Sequence, residues 1–169
     1  HLHLVNRMVP QAALEKLHGV RIWVEAESKD VVCMCYHPSR EWLEGHGFNP
    51  EKAKSVELGR PENFLSWTKH QFAMVLHELA HAYHHQVLGY DQADIKAAYE
   101  RAKENKSYES VLYFDGGKKR AYAMNNDQEY FAETSEAYFG TNDMYPFVRA
   151  ELKEHDPGMY EVLKKVWGK

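Results

Sequence analysis

Lys69-His70-Gln71-Phe72-Ala73-Met74-Val75-Leu76-His77-Glu78-Leu79-Ala80-His81-Ala82-Tyr83-His84-His85-Gln86-Val87-Leu88 is the stretch from which the remainder of the chain can be ordered. Its apolar residues Phe72, Leu76, Leu79, Tyr83 and Val87 recur at i, i+4, i+7, i+11 and i+15, which predicts one amphipathic helix over about 69–88. Gly89 follows as a natural stop. On such a helix His77 and His81 stand one turn apart and leave the same face. That spacing lets two imidazole nitrogens reach one Zn²⁺. With about 100° per residue, His81 lies about 40° and Glu78 about 100° round from His77, away from the apolar stripe. The helix can bury one side and present His77, Glu78 and His81 to a cleft.

A catalytic zinc of this kind takes three protein ligands and keeps one position for water. A third histidine six residues after the second, preceded by glycine, is absent, because position 84 is His and position 87 is Val. A carboxylate from a later helix is the other route. Asn126-Asp127-Gln128-Glu129-Tyr130-Phe131-Ala132-Glu133 opens such a helix, with Glu129 and Glu133 on one face. Asn126 as N-cap makes Glu129 the third helical residue of a capping box, a role that would leave Glu133 as the ligand. From the residues alone both carboxylates stay open. His84 sits on the ligand face one turn further on. It reads as a side chain supporting the ligands or walling the cleft, because one straight helix cannot wrap three imidazoles around a tetrahedral ion.

Outward from this core the chain sorts into short mixed elements first and helices later, an α+β layout. A helix is expected over 10–17, strands over 20–25 and 31–36, a short helix over 38–45 and a short strand at Val56-Glu57-Leu58. That last segment reads equally as an edge strand for an extended substrate or as a core strand. After Gly89, a polar helix is expected over 92–105 and a hairpin from Val111 through Asp115-Gly116-Gly117 to Ala123. Three further helices follow over 127–139, 146–154 and 157–167. The expectation is one domain over 1–169, with a mixed upper part over about 1–90 and a mainly helical lower part over about 91–169.

The 169 residues carry 21 basic and 25 acidic side chains, a net charge of −4. With 44% hydrophobic and 13% aromatic residues, a chain this long buries a real core. The mild acidity argues against a nucleic-acid partner, which calls for a clustered basic surface. No apolar run reaches the length of a membrane span. His1-Leu2-His3-Leu4-Val5 is neither an initiator methionine nor a signal-peptide pattern, so a cut or processed chain is expected. Cys33 and Cys35 sit one residue apart; in a strand their side chains face opposite ways, which disfavours a mutual disulfide. Oligomeric state and substrate are not legible in these features.

The pairing of His77-Glu78-Leu79-Ala80-His81 with Glu129-Tyr130-Phe131-Ala132-Glu133 resembles the gluzincin zinc metallopeptidases, specifically the anthrax lethal factor-like and Pro-Pro endopeptidase-like group. The likeness spans about residues 70–139. It implies a zincin-like fold, with a small twisted sheet over the active-site helix and a helical C-terminal part. It also implies that Glu129 is the third ligand of one zinc ion, and that Tyr122, seven residues before it, helps stabilise an oxyanion. The implied activity is hydrolysis of peptide bonds in a peptide or protein substrate, endopeptidase rather than exopeptidase, with Glu78 activating the zinc-bound water. Glu133 then becomes a carboxylate that orients a ligand imidazole. A secreted or periplasmic setting is the one the resemblance favours.

Two rival readings accompany it. A zinc-binding but inactive peptide-recognition module would keep His77, His81 and Glu129 without turnover. A di-iron carboxylate bundle would use Glu15-Lys16-Leu17-His18 beside Glu78-Leu79-Ala80-His81. That architecture needs four long helices, and strand-like residues over 20–36 oppose it.

Overall fold

The computed structural model describes residues 1–168, and its architecture is α+β: mostly helical, with a three-stranded sheet and a two-stranded ribbon. Two short helices, α1 (Leu2–Met8) and α2 (Gln11–Leu17), lead into β1 (Ile22–Val24). Pro10 opens α2 from the position just before its first turn, where a missing N–H is harmless. β2 (Met34–His37), α3 (Arg40–Gly45) and β3 (Ser55–Leu58) follow, and α4 (Pro61–Trp67) closes the mixed part. α1 has no counterpart in the sequence reading.

β3 is the central strand. It pairs in parallel with β1, Ile22 opposite Val56, and antiparallel with β2, Cys35 opposite Glu57. The possibility that Val56-Glu57-Leu58 is an edge strand is therefore overturned, and β2 takes that place instead. Glu57, on β3, is almost fully buried, and such a carboxylate is tolerable only when paired. Lys52 Nζ lies 2.9 Å from Glu57 Oε1 and 2.8 Å from Glu25 Oε1, while His37 Nε2 lies 2.9 Å from Glu57 Oε2. Cys33 and Cys35 are both free thiols.

The long central helix is shorter than its periodicity suggests. α5 runs Met74–Tyr83 and passes into a π-helical turn, His84–Leu88, before Gly89 ends it at φ +81°. Phe72 lies ahead of the helix and is exposed, so the apolar stripe begins at Leu76 rather than Phe72. Leu76, Leu79 and Tyr83 are buried as expected, with Tyr83 stacked on Trp167.

The helical part contains α6 (Ala93–Asn105), α7 (Asp127–Phe139), α8 (Arg149–His155) and α9 (Pro157–Trp167). α7 packs against α5, α6, α8 and α9 at once, which explains why every residue from Tyr130 to Tyr138 is buried. The ribbon joins β4 (Val111–Leu112) to β5 (Lys118–Lys119), ending short of the expected hairpin. Residues 121–123 are not strand; Tyr122–Met124 forms a single 3₁₀ turn that packs on α7. α8 starts at Arg149 rather than Pro146, and no helix among the described residues is long and apolar enough to cross a membrane.

Because Leu76 is fully buried where α5 meets the core, Leu76→Ala is expected to cost about 2–5 kcal/mol in urea unfolding. A loss under about 1 kcal/mol would contradict this packing.

Candidate metal centre

The centre is assembled where α5 lies against α7. His77 and His81 project from α5 with their Nε2 atoms 3.0 Å apart. Glu129, in the first turn of α7, places Oε2 3.1 Å from His77 Nε2 and 3.3 Å from His81 Nε2. Asn126 caps α7 by accepting a hydrogen bond from Glu129 N at 2.8 Å. Only the Asn126 half of the capping box forms: it uses the backbone N–H of Glu129, while the Glu129 carboxylate is turned to the histidines instead of back to the cap.

Three donor atoms at separations of 3.0, 3.1 and 3.3 Å form a nearly equilateral triangle. Ligands held about 2.0–2.1 Å from a tetrahedral Zn²⁺ are themselves about 3.3–3.4 Å apart. The triangle matches one face of that tetrahedron to within a few tenths of an ångström, and two imidazoles with one carboxylate form a donor set suited to zinc. The residues fit the ion.

Around the triangle lies a second group of carboxylates. His77 Nδ1 is 2.7 Å from Glu136 Oε1, so an Nδ1–H donated to Glu136 turns the Nε2 lone pair toward the triangle. Sequence reasoning gave this place to Glu133, and the geometry corrects it. Glu133 Oε1 lies 3.8 Å from His77 Nδ1, beyond hydrogen-bond reach, and its Oε2 accepts instead from Asn142 Nδ2 at 3.2 Å. Glu136 was missed although Glu129, Glu133 and Glu136 follow i, i+4, i+7 on one helix face. His77, Glu133 and Glu136 also form a second grouping with metal-ligand spacing.

His84 is not part of the arrangement. It is fully buried against Phe131 and Tyr90, neither ring nitrogen has a hydrogen-bond partner, and it does not line the cleft. Burial pushes its pKa down to about 4, which keeps the ring neutral. The support or cleft-wall role expected for His84 is thus withdrawn. The π turn begins at this residue, so the straight-helix projection no longer applies.

His77, Glu78, Tyr122, Glu133 and Glu136 line a cavity of about 340 Å³, together with Met34 from β2 and Trp67 from α4. Glu78 is buried, and its Oε2 accepts from the backbone N–H of Tyr36 at 2.7 Å. Tyr122 is half-exposed in its 3₁₀ turn. Burial, and then the charge of Glu129, raises the Tyr122 pKa, so the phenol stays protonated and able to donate.

The electrostatics follow from this crowding. Burial alone would raise the Glu129 pKa, yet hydrogen bonds from the two imidazoles hold the carboxyl down at about 2. Burial would lower His77, but Glu129 and Glu136 outweigh it and push the ring well above the ordinary histidine value. Glu133 is raised to about 8 by burial and then by the neighbouring Glu136. Glu136 is raised by burial as well. A site that gathers three carboxylates around two imidazoles is short of positive charge, which a divalent cation would supply.

The profile of one protein family, described as anthrax toxin lethal factor, N- and C-terminal domain, matches residues 39–166. The match takes in α5, α7 and all the side chains of the centre, and begins just after β2. No curated protein and no solved structure matches the chain. With 128 of its 169 residues under that profile, the chain belongs to the anthrax toxin lethal factor N- and C-terminal domain family.

Proposed function

We propose that this chain is a zinc-dependent endopeptidase in which His77, His81 and Glu129 hold one zinc ion. The observation that carries the reading is the triangle of two Nε2 atoms and one Oε2 with edges of 3.0–3.3 Å. Zinc held there would supply a Lewis acid for the scissile carbonyl and would bring a water toward a pKa of about 7. Everything else falls to the chain's own residues. Glu78 lies on the same helix, points into the cleft and is no member of the triangle, so it takes the proton of the attacking water and delivers it to the leaving amine. Tyr122 donates its phenol hydrogen to the carbonyl oxygen as negative charge builds there. Glu136 holds the tautomer of His77, and Glu133, one turn away, extends the acidic wall of the cleft.

The fold gives a peptide a place to lie. Backbone groups of β2 alternate in direction, and those of Met34 point away from β3 toward the cleft. An extended peptide can add to this edge as a further strand, with main-chain hydrogen bonds that are indifferent to side-chain identity. The small sheet over α5, with the helical part beneath, supports a zincin-like reading of the α+β architecture.

Two outcomes test the reading. Glu78→Gln keeps the shape and the metal ligands but removes the base. It is expected to bind about one zinc per chain while losing at least about 100-fold of the wild-type turnover on a mixed peptide library. Wild-type turnover in that variant, or no turnover in the zinc-loaded wild type, contradicts the proposal.

The second concerns pH. His77 has a folded pKa above its ordinary 6.5, so its contribution to stability is present below 6.5 and lost as pH rises through the folded value. Glu133, raised from 4.5 to about 8, likewise loses stabilisation as pH climbs toward 8. The buried His84, lowered to about 4, opposes this only below 6.5, so the window to use is pH 6.5–8. Zinc requires deprotonated ligands and so stabilises more as pH rises. In chelator the melting temperature should fall from pH 6.5 to 8, and with saturating zinc that slope should flatten or reverse. Identical slopes with and without zinc would contradict the site.

A further inference from the structure

The N–H of Tyr36 belongs to an edge strand and points outward. In β2 the backbone of Cys35 faces β3, as does the carbonyl of Cys33, which accepts from Gly59 N at 2.8 Å; the groups of Met34 and Tyr36 face the other way. An outward N–H at a sheet edge ordinarily serves water or an incoming strand. Here it is buried and donates to Glu78 Oε2 at 2.7 Å, a short bond to a carboxyl oxygen.

The side chain of Tyr36 is tied just as firmly. The residue is 5% exposed, and its hydroxyl lies 2.9 Å from His85 Nδ1 and accepts from Gln86 Nε2 at 3.0 Å. Gln86 Nε2 also lies 3.2 Å from Lys54 O, just ahead of β3. His85 and Gln86 both belong to the π turn that ends the helix bearing His77, Glu78 and His81. Interruptions of this kind recur at functional sites. One residue thus links the edge strand, the carboxylate of Glu78 and the far end of the helix that carries it.

We propose that Tyr36 is a positioning residue for Glu78. Its main-chain N–H fixes one carboxylate oxygen. Its phenol, locked onto His85 and Gln86, sets the height of β2 above α5 and so the place of that N–H. The second oxygen of Glu78 is left as the proton acceptor, held at one orientation rather than free to rotate. The catalytic consequence rests on the peptidase reading; the geometry does not.

The first arm uses the metal-free protein and needs no turnover. Amide hydrogen exchange at Tyr36 should be slow for an edge position, and Glu78→Ala should speed it by about 10-fold or more while Cys35, bonded to β3, keeps its rate. An unchanged rate at Tyr36 overturns the clamp. The second arm replaces Tyr36 by its α-hydroxy acid analogue, which deletes the N–H and retains the phenol. In the zinc-loaded enzyme kcat should fall about 10- to 100-fold with KM within about threefold and zinc content unchanged. Equal kcat per zinc-loaded molecule overturns the positioning role, as does a loss fully accounted for by a smaller folded fraction. Tyr36→Phe should give a smaller fall in kcat, and wild-type kcat there removes the phenol from the proposal. A wild type without any turnover refutes the peptidase reading, yet leaves the exchange arm fully readable, so the two failures are told apart.

Discussion

His77 and His81 can meet Glu129 only because α5 and α7 lie face to face with no room to slide. A helix fixes the two imidazoles relative to one another by its pitch alone. It fixes nothing about a carboxylate 48 residues further along the chain from His81. That third coordinate comes from packing: α7 is buried from Tyr130 to Tyr138 and touched by four helices, and Leu76 and Ala80 of α5 are sealed against the same core. Interiors this close-packed transmit position with little give. The donor triangle is in that sense a product of the core rather than of the cleft.

The core also carries a cost. Glu78, Glu133 and Glu136 are all buried, and each would be unfavourable as an isolated charge. Their partners are local and mutually dependent: Glu78 on Tyr36, Glu133 on Asn142, Glu136 on His77. Burial raises the pKa values of Glu133 and Glu136, and the nearby His77 does not offset it. A scaffold selected for stability alone has no reason to gather these groups in one place. Contrast the sheet, where buried Glu57 is met by both Lys52 and His37 and carries no such deficit.

The sequence was most legible where a single periodicity governs several residues. His77, Glu78 and His81 follow from helical pitch, and the bounds of α7 and α9 follow from Asn126 and Pro157 at one end and Gly140 and Gly168 at the other. Glu129 was harder, since the capping-box pattern offered its carboxylate a local use at the helix start, and only tertiary packing turns it to the histidines. Glu136 was visible as the third member of an acidic row, but only tertiary packing shows that it, rather than Glu133, reaches His77. The strand order was not legible, because Met34–His37 and Ser55–Leu58 are both four residues long and both β-prone. Which one lies at the edge depends on pairing between distant segments. The clamp at Tyr36 was beyond any pattern, since a backbone N–H has no sequence signature. The π turn likewise broke a heptad-like run that local spacing presented as continuous.

What remains to be weighed directly is the identity of the donors around the ion. Zinc X-ray absorption on the protein loaded with one equivalent would report them without any substrate. Four nitrogen or oxygen donors at about 2.0–2.1 Å are expected, with the outer-shell scattering of two imidazoles. Scattering from a single imidazole, as the His77–Glu133–Glu136 grouping would give, or a sulfur shell at about 2.3 Å from Cys33 or Cys35, would contradict it.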